Sequence, residues 1–403
     1  MVKAAILGIG TVGGGTAEVL TKNRELIARR AGQEIELKYI LCRSPRPGHP
    51  FEHLIVHDIG TIVSDGEVGV VAECIGGATL AYEYVKACLE AGKNVVTSNK
   101  ELVAEKGMEL TALARKMGVN FLFEASVGGG IPILRPISQC LAANEISSVC
   151  GILNGTTNYI LTEMIQCGKS FEQALREAQE KGYAEADPTA DVEGLDAGRK
   201  ICILADLCFG KNVPPSAITT EGITKITPAD IECARALGYK IKLLGRAMRT
   251  GPNSVTAFVA PHLISRANPI ANVDGVMNGI SVKGDAVGEA MFFGPGAGAL
   301  PTASAVAADM IDCVRDPGTR VYLGWWPSEE GYVTGPDKLS CRWMVRTAAP
   351  LAEIAAAFSG VRFISAPNAA PDEYAFVTQY MTGEELSGRT AGMAVHARYR
   401  VLD

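Results

Sequence analysis

The start of the chain constrains its fold more tightly than any later stretch. An apolar run from Val2 to Leu7 passes directly into Gly8-Ile9-Gly10-Thr11-Val12-Gly13, and a helix-compatible segment follows from Val12 to about Ala31. A strand, a GxGxxG turn and a helix in that order let backbone amides and a helix N-terminus approach a pyrophosphate. The competing reading of the same residues is a tight turn without a ligand. The pattern continues in kind. Ile35–Cys42, Val68–Ile75, Asn94–Thr97 and Asn120–Glu124 read as strands, with helices over Tyr82–Ala91 and 101–117. Such alternation calls for a parallel sheet with helical crossovers.

From about residue 135 the pattern changes. Ser147–Leu153 reads as a strand, 171–181 and 191–209 as helices, and 254–260 and 276–283 as short strands of antiparallel type. Ala290 to Ala308 carries little charge, which raises the question of a membrane span. Pro295, Pro301, Gly294, Gly296 and Gly298 interrupt it, so a packed loop followed by a helix over 301–315 is expected. After Asp316 come Gly318, Trp325-Trp326-Pro327 and Gly335-Pro336, a linker over 317–337. The tail then reads strand (339–346), helix (350–358), strand (361–365), strand (373–381) and a weaker helical stretch.

The expected architecture is α/β. A Rossmann-type parallel-sheet dinucleotide-binding domain covers 1–135, with 297–316 returning to it. An α+β domain covers 136–296, and a small βαββα module covers 338–403. A length of 403 residues agrees with two or three domains. A net charge of −6 argues against a nucleic-acid surface or an anionic membrane as partner. The eleven cysteines include no CxxC and no metal-ligand spacing. Several, such as Cys74, Cys202 and Cys208, lie in apolar runs, which fits a reducing cytosol better than a disulfide framework. No secretory signal precedes the glycine turn, so a cytoplasmic location is expected.

Chemistry gathers at five places beyond the first turn. Dinucleotide folds that take NAD usually set an acid at the end of the second strand for the ribose 2′-hydroxyl. Here no acid occurs between Glu36 and Glu52, whereas Arg43 and Arg46 flank Ser44. That favours a 2′-phosphate, hence NADP(H) over NAD(H), the alternative being two solvated loop arginines. Lys100 closes Val95-Val96-Thr97-Ser98-Asn99-Lys100 just beyond a strand's carboxyl end, where ligands bind in open α/β sheets. An ordinary surface lysine is the competitor. Segment 183–200 holds Glu185, Asp187, Asp191, Glu193, Asp196 and Lys200. On a helix over 191–206, Asp196 and Lys200 share a face and Asp191 lies near the start. A carboxylate there can orient the ammonium for proton transfer or bind a substrate's own ammonium; a solvated ion pair is the bland alternative. The apolar Ile201-Cys202-Ile203-Leu204 immediately behind favours a cleft. Finally, Glu124-Ala125-Ser126-Val127-Gly128-Gly129-Gly130-Ile131-Pro132-Ile133 can offer carbonyls to a cation, amides to an anion, or a hinge. Asn154-Gly155-Thr156-Thr157-Asn158 can bind a small substrate or cap a helix.

Taken in order, the N-terminal turn, Val95–Lys100, Phe123–Ile133, Asn154–Ile160, Gly182–Lys200 and Gly294–Asp309 resemble homoserine dehydrogenase over about residues 1–316. The resemblance implies NAD(P)H-linked interconversion of L-aspartate 4-semialdehyde and L-homoserine, on the route to threonine, methionine and isoleucine. It implies Lys200 as proton donor to the aldehyde oxygen, with Lys100 as second lysine beside nicotinamide and substrate. Glu185 would hold the substrate amino group, with Asp191 and Asp196 completing the pocket and Tyr183 and Thr156 as further contacts. Gly8, Gly10, Thr11, Val12, Gly13, Arg43, Thr97, Lys100, Gly182, Glu185 and Gly298 would meet the cofactor. Glu124 with the carbonyls of Val127, Gly129 and Ile131 corresponds to a structural sodium (Na+) site.

The tail is similar to an ACT module. It departs from that pattern where Thr347-Ala348-Ala349-Pro350 replaces the usual Asp-x-Pro-Gly turn, and the unit reads as truncated. Threonine as an effector and a purely subunit-contacting tail therefore both stay open. No aspartate kinase segment is recognisable, so the resemblance is to a monofunctional enzyme, expected to assemble as a homodimer or homotetramer. Two other readings compete: another semialdehyde or amino-acid dehydrogenase with the same first domain, and a non-catalytic sensor of dinucleotide and amino acid.

Overall fold

The computed structural model describes residues 1–315, 324–365 and 373–402. The first part of the expected linker, 317–323, lies outside them. Packing divides the chain into two compact units. One comprises Met1–Glu145, Cys202–Pro215 and Gly294–Ser328; the other comprises Ile146–Ile201, Ser216–Phe293 and Glu329–Asp403.

The first unit is built on six parallel strands: β1 (Val2–Leu7), β2 (Ile35–Leu41), β3 (Ile55–Val56), β4 (Val68–Glu73), β5 (Asn94–Thr97) and β6 (Phe121–Leu122), in the order β3-β2-β1-β4-β5-β6. Helices α1 (Thr11–Lys22), α2 (Arg24–Ala31), α3 (Ile59–Ser64), α4 (Thr79–Glu90) and α5 (Lys100–Met117) accompany them. Ala4–Leu7 and Val70–Ala72 are wholly buried, as expected of parallel strands covered on both faces. The order reverses between β1 and β4, and ligands of open α/β sheets bind outside the strand ends at that point. Helix Ala299–Arg315 packs on this unit through Val306, Met310 and Val314. A Cβ on Gly15 would stand 2.8 Å from the Ala299 carbonyl oxygen, so α1 reaches this helix only because residue 15 is glycine. The single helix expected over 12–31 is broken at Asn23 into α1 and α2.

The second unit holds α6 (Gly155–Cys167), α7 (Phe171–Glu180), α8 (Thr189–Val192), α9 (Leu195–Phe209) as far as Ile201, and α10 (Pro228–Leu237). Its ten-stranded sheet comprises β7 (Ile146–Ile152), β8 (Thr219–Thr220), β9 (Tyr239–Gly251), β10 (Ser254–Ser265), β11 (Met277–Gly284), β12 (Gly288–Pro295), β13 (Arg342–Thr347), β14 (Arg362–Ile364), β15 (Tyr374–Val377) and β16 (Val395–Leu402). The order is β12-β11-β7-β9-β10-β16-β13-β15-β14, with β8 beside β10. Two expectations are corrected. The start of Ala290–Ala308 is strand β12 rather than loop, because Met291 and Phe292 sit in a sheet edge next to β11. The tail is βαββαβ rather than βαββα: its weak helical stretch is helix Gly383–Arg389 followed by β16. Arg398 and Arg400 disguise β16 in the sequence. Arg400 is nonetheless buried, its guanidinium bonded to Glu221 and Asp337. β16 pairs antiparallel with β13 and parallel with β10, so the tail strands extend the sheet begun by β7 to β12.

Candidate active site

The glycines of the first turn each meet a different demand. Gly8 has φ +96°, and a Cβ there would lie 3.0 Å from the Cys74 carbonyl oxygen at the end of β4. A Cβ on Gly13 would lie 1.9 Å from the Gly8 carbonyl oxygen, so α1 can seat against the turn only with glycine there. Gly10 caps α1, and nothing lies within 4 Å of where its Cβ would be. This open flank lets a phosphate come up to the amides of Thr11 and Val12, which open the helix and have no acceptor within it. Arg43 and Arg46 are exposed just beyond β2.

Sequence reasoning missed Glu73. It ends β4, is wholly buried, and accepts hydrogen bonds from Thr97 Oγ1 and the Ile75 amide, both at 2.5 Å. Thr97 Oγ1 accepts from the Asn99 amide at 2.9 Å. The Asn99 side chain donates to the Ile75 and Gly77 carbonyls and accepts from Leu102 N, capping α5. The turns after β4 and β5 are thereby locked together, and Lys100 stands as the first, half-buried residue of α5. Burial raises the Glu73 carboxyl to about 7, with the Thr97 and Ile75 hydrogen bonds opposing. The signal available in the sequence was an acid within an otherwise apolar strand.

Glu124 lies in a buried 3-10 turn. Its carboxylate accepts amides from Ile133 (2.6 Å), Leu134 (3.0 Å) and Arg135 (2.6 Å). Its own amide donates to Asp309, which Arg135 also binds at 2.8 Å. Burial, then the neighbouring Glu124, pushes Asp309 up to about 8. Val127 and Ile131 are buried, and a Cβ on Gly129 (φ +56°) would meet the Gly296 carbonyl oxygen at 2.5 Å. Gly298, at φ +125°, precedes helix Ala299–Arg315.

In the second unit a polar cluster forms where β7 turns into α6. Lys200 Nζ donates to Asp196 Oδ2 and to the Leu153 carbonyl, each at 2.7 Å. Asn154 Nδ2 donates to Asp191 Oδ1 at 2.7 Å and to Asp196 Oδ2 at 2.9 Å. Asp196 is 3% exposed and Lys200 8%, so the pair is not a solvated helix face. Glycines again allow the approach: a Cβ on Gly245 would lie 2.7 Å from Leu153 Cδ1 and 3.2 Å from Ile201 Cβ. The continuous helix expected over 191–206 is corrected. Gly194 (φ +80°) breaks it, leaving Asp191 in the one-turn α8 and Asp196 in the first turn of α9. Thr156 Oγ1 donates to the Tyr183 carbonyl at 2.7 Å, and the Tyr183 ring packs edge-on to Tyr159. Gly182 (φ +74°) and Glu185 lie on an exposed loop, where the Glu185 carbonyl accepts from Gln179. The structure thus joins Asp191, Asp196 and Lys200, and Thr156 with Tyr183, within one unit. Glu185 and Gly182 stand outside that hydrogen-bonded cluster.

The chain is similar to known proteins over most of its length. Residues 132–311 match the family model for homoserine dehydrogenase, and residues 8–124 match the model for its NAD-binding domain. A homoserine dehydrogenase of Pseudomonas aeruginosa is 50% identical over 332 residues, 81% of this chain and 76% of that protein. The chain belongs to the homoserine dehydrogenase family. The crystal structure of a homoserine dehydrogenase from Thiobacillus denitrificans superposes with a TM-score of 0.90 at 38% identity, covering 100% of this chain and 98% of that one. A hyperthermophilic archaeal homoserine dehydrogenase in complex with NADPH gives a TM-score of 0.67 at 27% identity, covering 77% of this chain and 97% of its own. Membership makes the chain an oxidoreductase of amino-acid biosynthesis with a Rossmann-type dinucleotide-binding domain, and it sets aside the sensor reading. Among the described residues no helix is long and apolar enough to cross a membrane.

Proposed function

We propose that the chain interconverts L-aspartate 4-semialdehyde and L-homoserine with Lys200 as proton donor and NADP(H) as preferred dinucleotide. The observation that carries this is the buried ammonium of Lys200, gripped by Asp196 and the Leu153 carbonyl beside a second carboxylate, Asp191. A bound nicotinamide dinucleotide supplies or takes up the hydride. The rest is done by side chains. As negative charge grows on the aldehyde oxygen, the Lys200 ammonium stabilises it and gives up a proton. Asp196 favours the charged lysine, and a water-poor setting strengthens the attraction. Asp191 and Asp196, with Glu185 from its exposed loop, offer negative charge to the substrate amino group, and Thr156 and Tyr183 shape its surroundings. Lys100 provides a second cation on the dinucleotide-binding unit.

The turn residues Gly8, Gly10, Thr11, Val12 and Gly13 would hold the pyrophosphate, Thr97 and Gly298 would meet the same cofactor, and the family resemblance assigns Gly182 to it as well. Arg43 supports NADP(H): it follows β2 where an NAD site would carry an acid. A structural Na+ fits Glu124 with the Val127, Gly129 and Ile131 carbonyls. Three amides occupy three of the four acceptor sites of the carboxylate, which leaves one for a hard cation. The tail follows the antiparallel order β16-β13-β15-β14 of a split βαβ unit, which supports an ACT-like assignment with subunit contact as its role and threonine as the effector to test. A monofunctional, cytosolic homodimer or homotetramer completes the reading. Steady-state kinetics with homoserine and either NADP+ or NAD+ test it, on the wild type and on Arg43→Ala. The expected result is homoserine oxidation with a lower KM for NADP+, and in Arg43→Ala a KM raised for NADP+ alone. Absence of turnover with homoserine would sink the proposal, and equal effects on both cofactors would remove Arg43 from it.

A further inference from the structure

We infer that Asn154 is a positioning residue of the reaction, the shared donor that fixes Asp191 and Asp196 and, through Asp196, the ammonium of Lys200. The inference rests on the role proposed for Lys200. A primary amide has two N–H donors and an oxygen with two acceptor positions. In Asn154 all four are taken by protein. Nδ2 donates to Asp191 Oδ1 and Asp196 Oδ2 at 2.7 and 2.9 Å. Oδ1 accepts the Thr157 amide at 2.9 Å and, at 3.0 Å, the Thr157 hydroxyl, whose one proton it shares with the Asn154 backbone carbonyl at 3.2 Å. Because the oxygen must face the Thr157 N–H, the nitrogen must face the two acids, and this fixes the orientation of the amide. No hydrogen-bonding capacity is left for a substrate, so this residue of the polar turn organises the site rather than binding its ligand.

The arrangement resolves a charge conflict. Two carboxylates that converge on one nitrogen repel each other, and a neutral double donor between them holds both in place. The same turn grips Lys200 twice: directly through the Leu153 carbonyl, and indirectly through Asn154 and Asp196. Asn154 also caps α6, so its removal carries a structural effect that has to be separated from the kinetic one.

Asn154→Ser and Asn154→Asp make the separation, since serine and aspartate cap helices about as well as asparagine. Serine has a single O–H donor on a shorter side chain and cannot serve both aspartates, an ionised aspartate has no donor, and Asn154→Asp adds a third carboxylate beside them. Both variants, as full-length enzyme, are expected to keep a near-wild-type Tm. Each should lose kcat/KM for homoserine by roughly tenfold or more, the scale on which a displaced reacting group shows itself. In Asn154→Asp the acid limb of the kcat–pH profile for homoserine oxidation, the direction in which Lys200 must accept the proton, should also move to higher pH, because the added negative charge holds the Lys200 proton. Kinetics within twofold of wild type in Asn154→Ser, with an unmoved profile in Asn154→Asp, would reduce Asn154 to a helix cap and overturn the inference. If Asn154→Asp does not fold, the Asn154→Ser kinetics decide alone. A wild-type enzyme without homoserine turnover fails the parent assignment instead, so the two failures are told apart.

Discussion

Lys200 is held by two acceptors that differ in how far away they lie along the chain. Asp196, four residues earlier, was legible from helical spacing. The Leu153 carbonyl, 47 residues earlier, was not, because it reaches Lys200 only once glycine at 245 lets Leu153 and Ile201 of α9 settle against β9. Asn154 shows the same limit. Its cap on α6 is local and could be read as such, whereas its bonds to Asp191 and Asp196 span 37 and 42 residues. Glu73 hid in an apolar strand because its side-chain partner, Thr97, lies 24 residues away. Its folded-state carboxyl is raised from 4.5 to about 7, so between those values the unfolded chain ionises while the folded chain keeps its proton. The folded state binds more protons there, and its stability falls as pH rises through that window, levelling above it. Glu73→Gln should abolish this component. Urea unfolding of both proteins across the window measures it, and parallel stability–pH curves would show that Glu73 does not titrate in this way.

Elements were legible where periodicity was strong and boundaries where a breaker stood in the open. The parallel strands β1, β2, β4 and β5 announce themselves as apolar runs between glycine turns and helices. The break at Gly194, the strand β12 among prolines and glycines, and the arginine-bearing β16 depend on neighbours distant in sequence. The first turn supports a paired prediction. Gly13→Ala would drive a Cβ into the Gly8 carbonyl, opening the turn, lowering Tm and weakening NADPH binding together. Gly10→Ala meets no protein atom, so its Tm should stay at the wild-type value. Its Kd for NADPH should still rise by about tenfold, equivalent to about 1.4 kcal/mol, if the pyrophosphate comes up to that flank. Wild-type affinity in Gly10→Ala would contradict the assigned approach.

Across the whole molecule, the chain is two units with different sheets, one wholly parallel and one mixed, and the candidate residues divide between them. Gly8 to Gly13, Thr97 and Lys100 belong to the first, Asn154 to Lys200 to the second. The tail was expected as a module of its own, and its composition gave no hint of how firmly it is tied within the second unit. Arg346 of β13 pairs with the wholly buried Asp230 of α10 at 2.9 Å and with Glu373 at 2.8 Å. Arg346→Ala would strand Asp230 as a buried charge, a loss of about 3–5 kcal/mol that a thermal melt would register as a clearly lowered Tm. An unchanged Tm would mean that the tail contributes little to holding the unit together. The catalytic claim is tested most directly by Lys200→Ala. Its kcat for homoserine oxidation is expected to fall on the order of 10² to 10⁴-fold while NADPH binds with wild-type Kd. A near-normal kcat in that variant would contradict the account.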